Sequence, residues 1–206
     1  LATSDDILQA AETRNRSYTG AEEAILEGIL AKDRAWVDAQ GASPLLEEIT
    51  TRDRNRNPAA FQLGRFLENF KEHSELLLTD RRGATIAAPG HLSDYYPADE
   101  DWWDAAWKAG RGHVYISPPR FDESAGITAM LIAVPVYNGG EEPVGILRST
   151  LNVADVPGVI SSVSIGKTGQ ASLMDAEGRV FRNPGGAGSA MDADIGDRKS
   201  TRLNSS

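Results

Sequence analysis

The chain has 206 residues, a formal net charge of −9 and no cysteine. The acidic balance argues against binding to nucleic acid or to anionic lipid, whose protein partners present basic surfaces. The absence of cysteine excludes disulfides and thiolate sites. With 40% apolar residues, the chain is long enough to bury a core as one or two globular domains.

Residues 1–45 are predicted to form a long helix. Apolar residues recur every three or four positions from Ile7 onward. Ser4, followed by two aspartates, is typical of a helix start. Gly20 and Gly28 are both points at which this helix can break. A second helix is predicted over residues 59–70, where three phenylalanines share one face.

Beyond residue 73 the apolar pattern changes to a period of two, which indicates β-strands. A tight turn at residues 80–83 joins the first two strands into a hairpin, and an Asn-Gly-Gly turn joins the last two. Short turns favour antiparallel pairing of these strands. We expect helices to pack on one face of the sheet, which makes an α+β fold. The predicted strands are 76–79, 84–87, 113–117, 127–137 and 144–153.

A strand–turn unit recurs in the chain. The pattern Asp80-x-x-Gly83 with a following Pro-Gly returns 95 residues later as Asp175-x-x-Gly178, again with a Pro-Gly behind it. This repeat predicts a second, related module that starts near residue 160 and has too few residues to close its own core. The last ten residues, DRKSTRLNSS, look like a translated sequencing adapter, and we expect them to be non-native.

Metal and catalytic motifs are absent from the sequence. The three histidines lack the spacing of a metal site, and no nucleophile motif occurs. Paired acids within residues 94–104 leave open a glycan-processing enzyme, although acids at a helix start more often interact with the helix dipole.

The stretch DYYPADEDWWDAAW, residues 94–107, contains three of the four tryptophans. A helix that starts near Trp102 would place its rings on two faces. Packing in the core accounts for some of these rings. A further ring beside Tyr95 and Tyr96 predicts an aromatic wall of a small-ligand site.

At this point the chain resembles a family. The ordered motifs are L-L-T-D-x-x-G, D-Y-x-x-x-D-E-D-W-W-x-x-A, P-P-x-F-D-E-S-A-G, I-A-V-P-V, V-G-I-L and I-G-K-T-G-Q-A-x-L-M-D-A-E-G. They are similar to those of the double Cache sensor domain of bacterial transmembrane receptors, which include chemoreceptors, histidine kinases and diguanylate cyclases.

The resemblance implies a domain layout. Residues 1–45 would be a stalk helix, and 46–156 a membrane-distal, PAS-like ligand-binding module with a five-stranded antiparallel sheet and flanking helices. Residues 157–196 would begin a truncated membrane-proximal PAS-like module, and 197–206 would be the non-native tail. The region would lie in the periplasm or outside the cell, attached to the membrane by helices beyond this fragment, and a homodimer is expected.

The resemblance also implies site residues. Tyr95, Trp102 and Trp103 fall on the family's aromatic positions, and Asp122 falls on an acidic one. Glu100 stands where amino-acid-binding members carry an arginine, and Thr150 stands where we place a final aspartate. The predicted ligand-binding set is Tyr95, Glu100, Trp102, Trp103, Tyr115, Ser117, Asp122 and Thr150.

The missing arginine bears on the ligand. An acid cannot replace an arginine that holds a carboxylate, so a standard amino acid is not expected unless Arg111 or Arg120 moves in. Aromatic rings with Glu100 and Asp122 favour an amine or another organic cation. The alternative is that Glu100 is only an acid of the first helical turn that faces water. We predict a sensor without catalytic residues, metal or cofactor. A secreted solute-binding protein is the alternative from the class of binding proteins.

Overall fold

The structure is a computed structural model that describes residues 1–38, 43–90, 92, 94–122, 127–153, 164–165 and 169–170. The chain falls into two compact units, Leu1–Ser117 with Met130–Leu151, and Pro118–Ala129 with Asn152–Ser206. Of the predicted second module, the structure describes only a short hairpin of Ser164–Ile165 with Gly169–Gln170. The Asp175 repeat and the tail lie outside the described residues.

The first unit contains five α-helices. The predicted long N-terminal helix is in fact two helices, because the chain turns at Gly20, whose φ of +104° lies in the left-handed region. A short helix that the sequence analysis did not predict follows them. The helices are α1 (Asp5–Ser17), α2 (Glu22–Asp38), α3 (Pro44–Thr50), α4 (Pro58–Asn69) and α5 (Asp101–Lys108).

The sheet has the strand order β2-β1-β6-β5-β3, and β4 also pairs with β5. The pairings of β1 with β2, β1 with β6, β3 with β5 and β4 with β5 are antiparallel. The predicted α+β fold with a five-stranded antiparallel sheet is therefore confirmed, and β4 adds a sixth strand that the sequence did not predict. The strands are β1 (His73–Asp80), β2 (Thr85–Ala87), β3 (Tyr115–Ile116), β4 (Arg120–Asp122), β5 (Ile127–Val136), β6 (Gly145–Asn152), β7 (Ser164–Ile165) and β8 (Gly169–Gln170).

Helices cover both faces of the sheet rather than the one face that we predicted. Leu76 and Leu78 belong to one apolar cluster, together with residues of α1 and α4. Leu77 points to the other cluster, together with residues of α2, α3 and α5. A run of three leucines in β1 is buried on both sides, as expected for the second strand of a sheet with helices on each face.

The central strands β1 and β6 approach each other closely. A Cβ atom added to Gly145 would lie 2.1 Å from the carbonyl oxygen of Thr79. Only glycine therefore fits at this point of the pairing. Among the described residues, no helix is long and apolar enough to cross a membrane.

Candidate functional site

Helix α5 brings the predicted tryptophans to one face of the sheet. A short 3-10 turn at Pro97–Asp99 precedes it, and Asp101 and Asp104 in its first turn match the positive end of the helix dipole. Trp102 is buried, and Trp103 is half-buried beside it. The hydrophobic side of this short helix therefore lies on the sheet, as the sequence predicted.

Trp103 is held by a hydrogen bond to the centre of the sheet. Its indole Nε1 donates to the hydroxyl of Thr79 over 3.0 Å, and that hydroxyl also accepts from the backbone N of Ile146 at 3.3 Å. Its ring stacks on Trp107, with centroids 4.9 Å apart and planes 11° from parallel. Helix α5 is thus fastened to both central strands.

Arg148 on β6 connects two of the predicted site residues. Its guanidinium lies over the ring of Trp102, 5.3 Å from the centroid, and its Nη2 donates to Thr150 Oγ1 at 3.4 Å. It forms an ion pair with Glu75 of β1, whose Oε2 also accepts from Thr150 Oγ1 at 3.3 Å. Burial lowers the pKa of Arg148 to about 10.

Sequence reasoning missed Arg148 and Glu75. The signal that could have found Arg148 is its spacing, because residues 148 and 150 of a strand share a face. Arg111, which we considered as a replacement for the missing arginine, instead donates to the carbonyl of Gly140 at 2.9 Å and lies over the ring of Tyr137.

Glu100 lies at the N-terminal end of α5, next to Trp102, and its residue surface is exposed. Partial burial of its carboxyl raises the pKa of Glu100, the Trp102 indole opposes this rise, and the Asp99 carboxylate adds to it. The indole Nε1 of Trp102 is buried and has no hydrogen-bond partner of good geometry among the described residues. The Trp102 indole thus faces the Glu100 carboxyl, on which no cation acts within the described residues.

Tyr95 is part of the core in this structure. Its ring is fully buried and lies 5.8 Å from the ring of Trp36. Its hydroxyl accepts from Nη2 of Arg14 at 3.0 Å. Through these contacts Tyr95 anchors the chain in front of α5.

The remaining predicted residues lie on strands. Tyr115 is half-buried on β3, opposite Ala133. Ser117 Oγ accepts from the backbone N of Leu131 at 2.9 Å, so its side chain extends the pairing of β3 with β5. Asp122 ends β4 in the second unit, with Ile127 as its Cα partner. The structure thus brings Glu100, Trp102, Trp103 and Thr150 together in the first unit.

Two carboxyl groups converge on the chain before α5. Oδ1 of Asp33 on α2 accepts from the backbone N of Tyr95 at 3.3 Å and of Tyr96 at 3.2 Å. Oδ1 of Asp94 accepts from the same Tyr96 N at 2.9 Å. Burial, the Asp33 carboxyl and, more weakly, Asp99 raise the pKa of Asp94 to about 7. A shared proton suits two carboxyls this close.

Within the described part of the chain, no group of three or more histidine and acidic side chains could hold a metal ion. The tryptophans, Glu100 and the Arg148 pair therefore offer binding through rings, charge and hydrogen bonds.

Residues 46–157 match the family described as the methyl-accepting chemotaxis protein-like, first PDC sensor domain. This match spans more than half of the chain. No curated protein matches the chain.

Solved structures with a similar fold come from bacterial sensory proteins. The sensory domain of the Campylobacter jejuni chemoreceptor Tlp3 is 16% identical with a TM-score of 0.49, and the match covers 86% of this chain and 68% of that one. The ligand-binding domain of the Pseudomonas aeruginosa amino acid chemoreceptor PctC, in complex with GABA, is 16% identical with a TM-score of 0.51, over 78% and 67%. That of the Pseudomonas fluorescens chemoreceptor CtaA, in complex with L-serine, is 20% identical with a TM-score of 0.46, over 80% and 74%.

Proposed function

Because the chain belongs to the family of methyl-accepting chemotaxis protein-like PDC sensor domains, we propose that it is the extracytoplasmic, small-ligand-sensing part of a transmembrane signalling receptor. Family membership confirms the predicted resemblance to PAS-like sensor domains. Binding and signalling rather than catalysis would be its task, and the output domain would lie elsewhere in the full protein.

The ligand would bind beside α5, at the residues that we call the aromatic site: Glu100, Trp102, Trp103, Arg148 and Thr150. The observation that carries this proposal is the partly buried Glu100 carboxyl, which faces the Trp102 indole and has no cation acting on it among the described residues. A ligand with a cationic group would supply the missing counter-charge.

The charges of the aromatic site favour a ligand with a cationic group. Glu75 compensates the positive charge of Arg148 through their ion pair. Glu100 has no cation acting on it among the described residues, so its carboxylate is the charge available to a ligand. The half-buried ring of Trp103 on the same helix would add cation–π attraction of about 0.5–2 kcal/mol. An amine is therefore the ligand that Glu100 and the indole rings would favour.

Signal transmission would start from α5 and end at α1. Trp103 ties α5 to β1 through Thr79. Asn15 of α1 is tied to the other end of this region, because its Nδ2 donates to Val144 O at 2.7 Å and its Oδ1 accepts from Arg81 N at 3.1 Å. A ligand that binds one arrangement of these contacts more tightly would shift the population towards it.

Thermal denaturation of the 206-residue chain with amines, GABA, other amino acids and simple carboxylates tests the proposal. A ligand at 100 times its Kd adds about 2.7 kcal/mol, or about 5–10 °C for a domain of this size. Glu100→Gln should weaken amine binding about tenfold. The matched control is Asp101→Asn, which removes the adjacent exposed acid and should leave the affinity unchanged.

Two results would contradict this assignment. One is a melting temperature that rises only with carboxylates, which would exclude the cationic ligand. The other is equal amine affinity of Glu100→Gln and the unmodified chain, which would remove the ligand from the aromatic site. Turnover of a glycan probe would instead favour an enzyme.

A further inference from the structure

A cavity of about 460 Å³ lies away from the aromatic site, between α1 and α3. The turn before α4 and strand β2 complete its lining. Its volume is within the range of small-molecule sites. We call it the α1–α3 cleft.

The wall opposite α1 is built by Asn57. Its Nδ2 lies within 3.1–3.3 Å of the carbonyl oxygens of Glu48, Ile49 and Ile86, and its Oδ1 caps α4 by accepting from Ala60 N at 2.9 Å. One amide therefore joins α3, α4 and β2. This wall is preorganised, which lowers the cost of ordering on binding.

Two buried polar atoms on cleft residues have no hydrogen-bond partner among the described residues. They are Oγ1 of Thr85, a residue that is 1% exposed, and Nε of Arg14. The Arg14 Nε lies 3.7 Å from Oδ2 of Asp80, too far for a hydrogen bond. Both atoms are closed off from solvent, so a guest in the cleft would instead meet the exposed hydroxyl groups of Thr13 and Ser17 on α1.

The charges around the cleft are balanced. Asp6 and Glu48 line it together with Arg14 and Arg56. Arg14 faces Asp80, and Arg56 forms an exposed ion pair of 2.7 Å with Glu47. A ligand with a net charge of either sign would meet a like charge here. Hydroxyl groups, in contrast, both donate to carboxylates and accept from guanidinium groups.

We propose that the α1–α3 cleft is a second ligand site, which binds a small uncharged molecule rich in hydroxyl groups, such as a polyol or a monosaccharide. It is separate from the aromatic site and does not depend on it. A ligand there would contact α1 directly. Arg14 also donates to Tyr95 in front of α5, so occupation of the cleft would be sensed at both helices.

Isothermal titration calorimetry of the 206-residue chain with glycerol, D-glucose and myo-inositol tests this site. At least one probe should bind. Thr13→Val removes one exposed hydroxyl of the cleft at constant shape and should weaken binding about fivefold, while Thr13→Phe should block it. Arg16→Gln, an exposed change on the same helix outside the cleft, should bind as the unmodified chain does.

Folding of Thr13→Val is checked by circular dichroism, and its melting temperature without a probe should change little, because Thr13 is exposed. The proposal is overturned if no probe binds, or if Thr13→Val binds with unchanged affinity. It is also overturned if Trp103→Phe abolishes binding and Thr13→Phe does not, because the probe would then occupy the aromatic site.

Discussion

Replacing Asp94 by asparagine tests the carboxyl pair that anchors the chain before α5. In the native chain Asp94 and Asp33 both accept from the backbone N of Tyr96, so a second negative charge is unfavourable there. The asparagine amide would keep an oxygen for Tyr96 and offer Asp33 an N–H donor. The variant therefore replaces a proton that depends on pH by one that is permanent.

The direction of the effect follows from the raised pKa. A carboxyl whose pKa is raised by folding holds its proton more tightly in the folded chain than in the unfolded one. The stabilisation that Asp94 contributes is therefore fully present below its ordinary pKa of 3.8 and is lost as the pH rises to about 7. The unmodified chain should lose stability across this window, and Asp94→Asn should not.

Solvent screening reduces the stability that Asp94→Asn can gain. The difference between 3.8 and about 7 corresponds to about 4 kcal/mol at full effect. Because the pair is only half-buried, screening reduces this figure, and we expect Asp94→Asn to be more stable by about 1–2 kcal/mol at pH 8. That gain corresponds to about 2–8 °C in melting temperature, with little difference from the unmodified chain at acidic pH.

Thermal denaturation followed by circular dichroism between pH 4 and pH 8 measures the effect. Asp99→Asn is the matched comparison, because Asp99 is an exposed acid of the same segment that raises the pKa of Asp94 only weakly. The increase in melting temperature at pH 8 should be smaller for Asp99→Asn than for Asp94→Asn. Equal melting temperatures of Asp94→Asn and the unmodified chain at pH 8 would refute the shared proton, as would a loss of stability that is the same at both ends of the pH range.

Four further substitutions probe the central strands and α2. Gly145→Ala should lower the free energy of unfolding by about 2 kcal/mol or more, because its Cβ would lie 2.1 Å from Thr79 O; Gly28→Ala, in a helix with open space around it, should raise it by about 0.5–1 kcal/mol. Urea denaturation of both variants measures these changes, and a Gly145→Ala chain as stable as the parent would contradict the close strand approach. Glu75→Gln should destabilise by about 2 kcal/mol because Arg148 would be left buried without its counter-charge. Adding Arg148→Met should restore part of that loss in the same assay, and no recovery in the double variant would show that the pair is not the cause.

Helix α5 and the hairpins could be predicted from the sequence because their signals are local. Acids before Trp102, a proline at residue 97 and small residues on one face mark α5, and alternating apolar residues mark β5 and β6. Helix α3 was missed although Ser43 caps it at Leu46 N and Pro44 starts it. Its seven residues are too few for a helical period to stand out.

The Arg148 pair could not be predicted because it depends on register. Leu77 lies opposite Arg148 in the pairing of β1 with β6, and no local pattern reveals that Glu75 and Arg148, 73 positions apart, will meet. Likewise, Tyr95 is buried by Arg14, which lies 81 positions earlier. The predicted ligand set therefore remains a prediction, to be tested at Glu100 and Trp103.

The stacked rings of Trp103 and Trp107 give the molecule an optical reporter of its own. Two indoles stacked at this separation couple their electronic transitions, and a skew between their in-plane transition dipoles gives paired positive and negative bands in circular dichroism. The signal depends on the angle between the rings and would vanish if α5 unwound or rotated one of them outward. Movements of this helix can therefore be followed in unlabelled protein, in real time and at each pH.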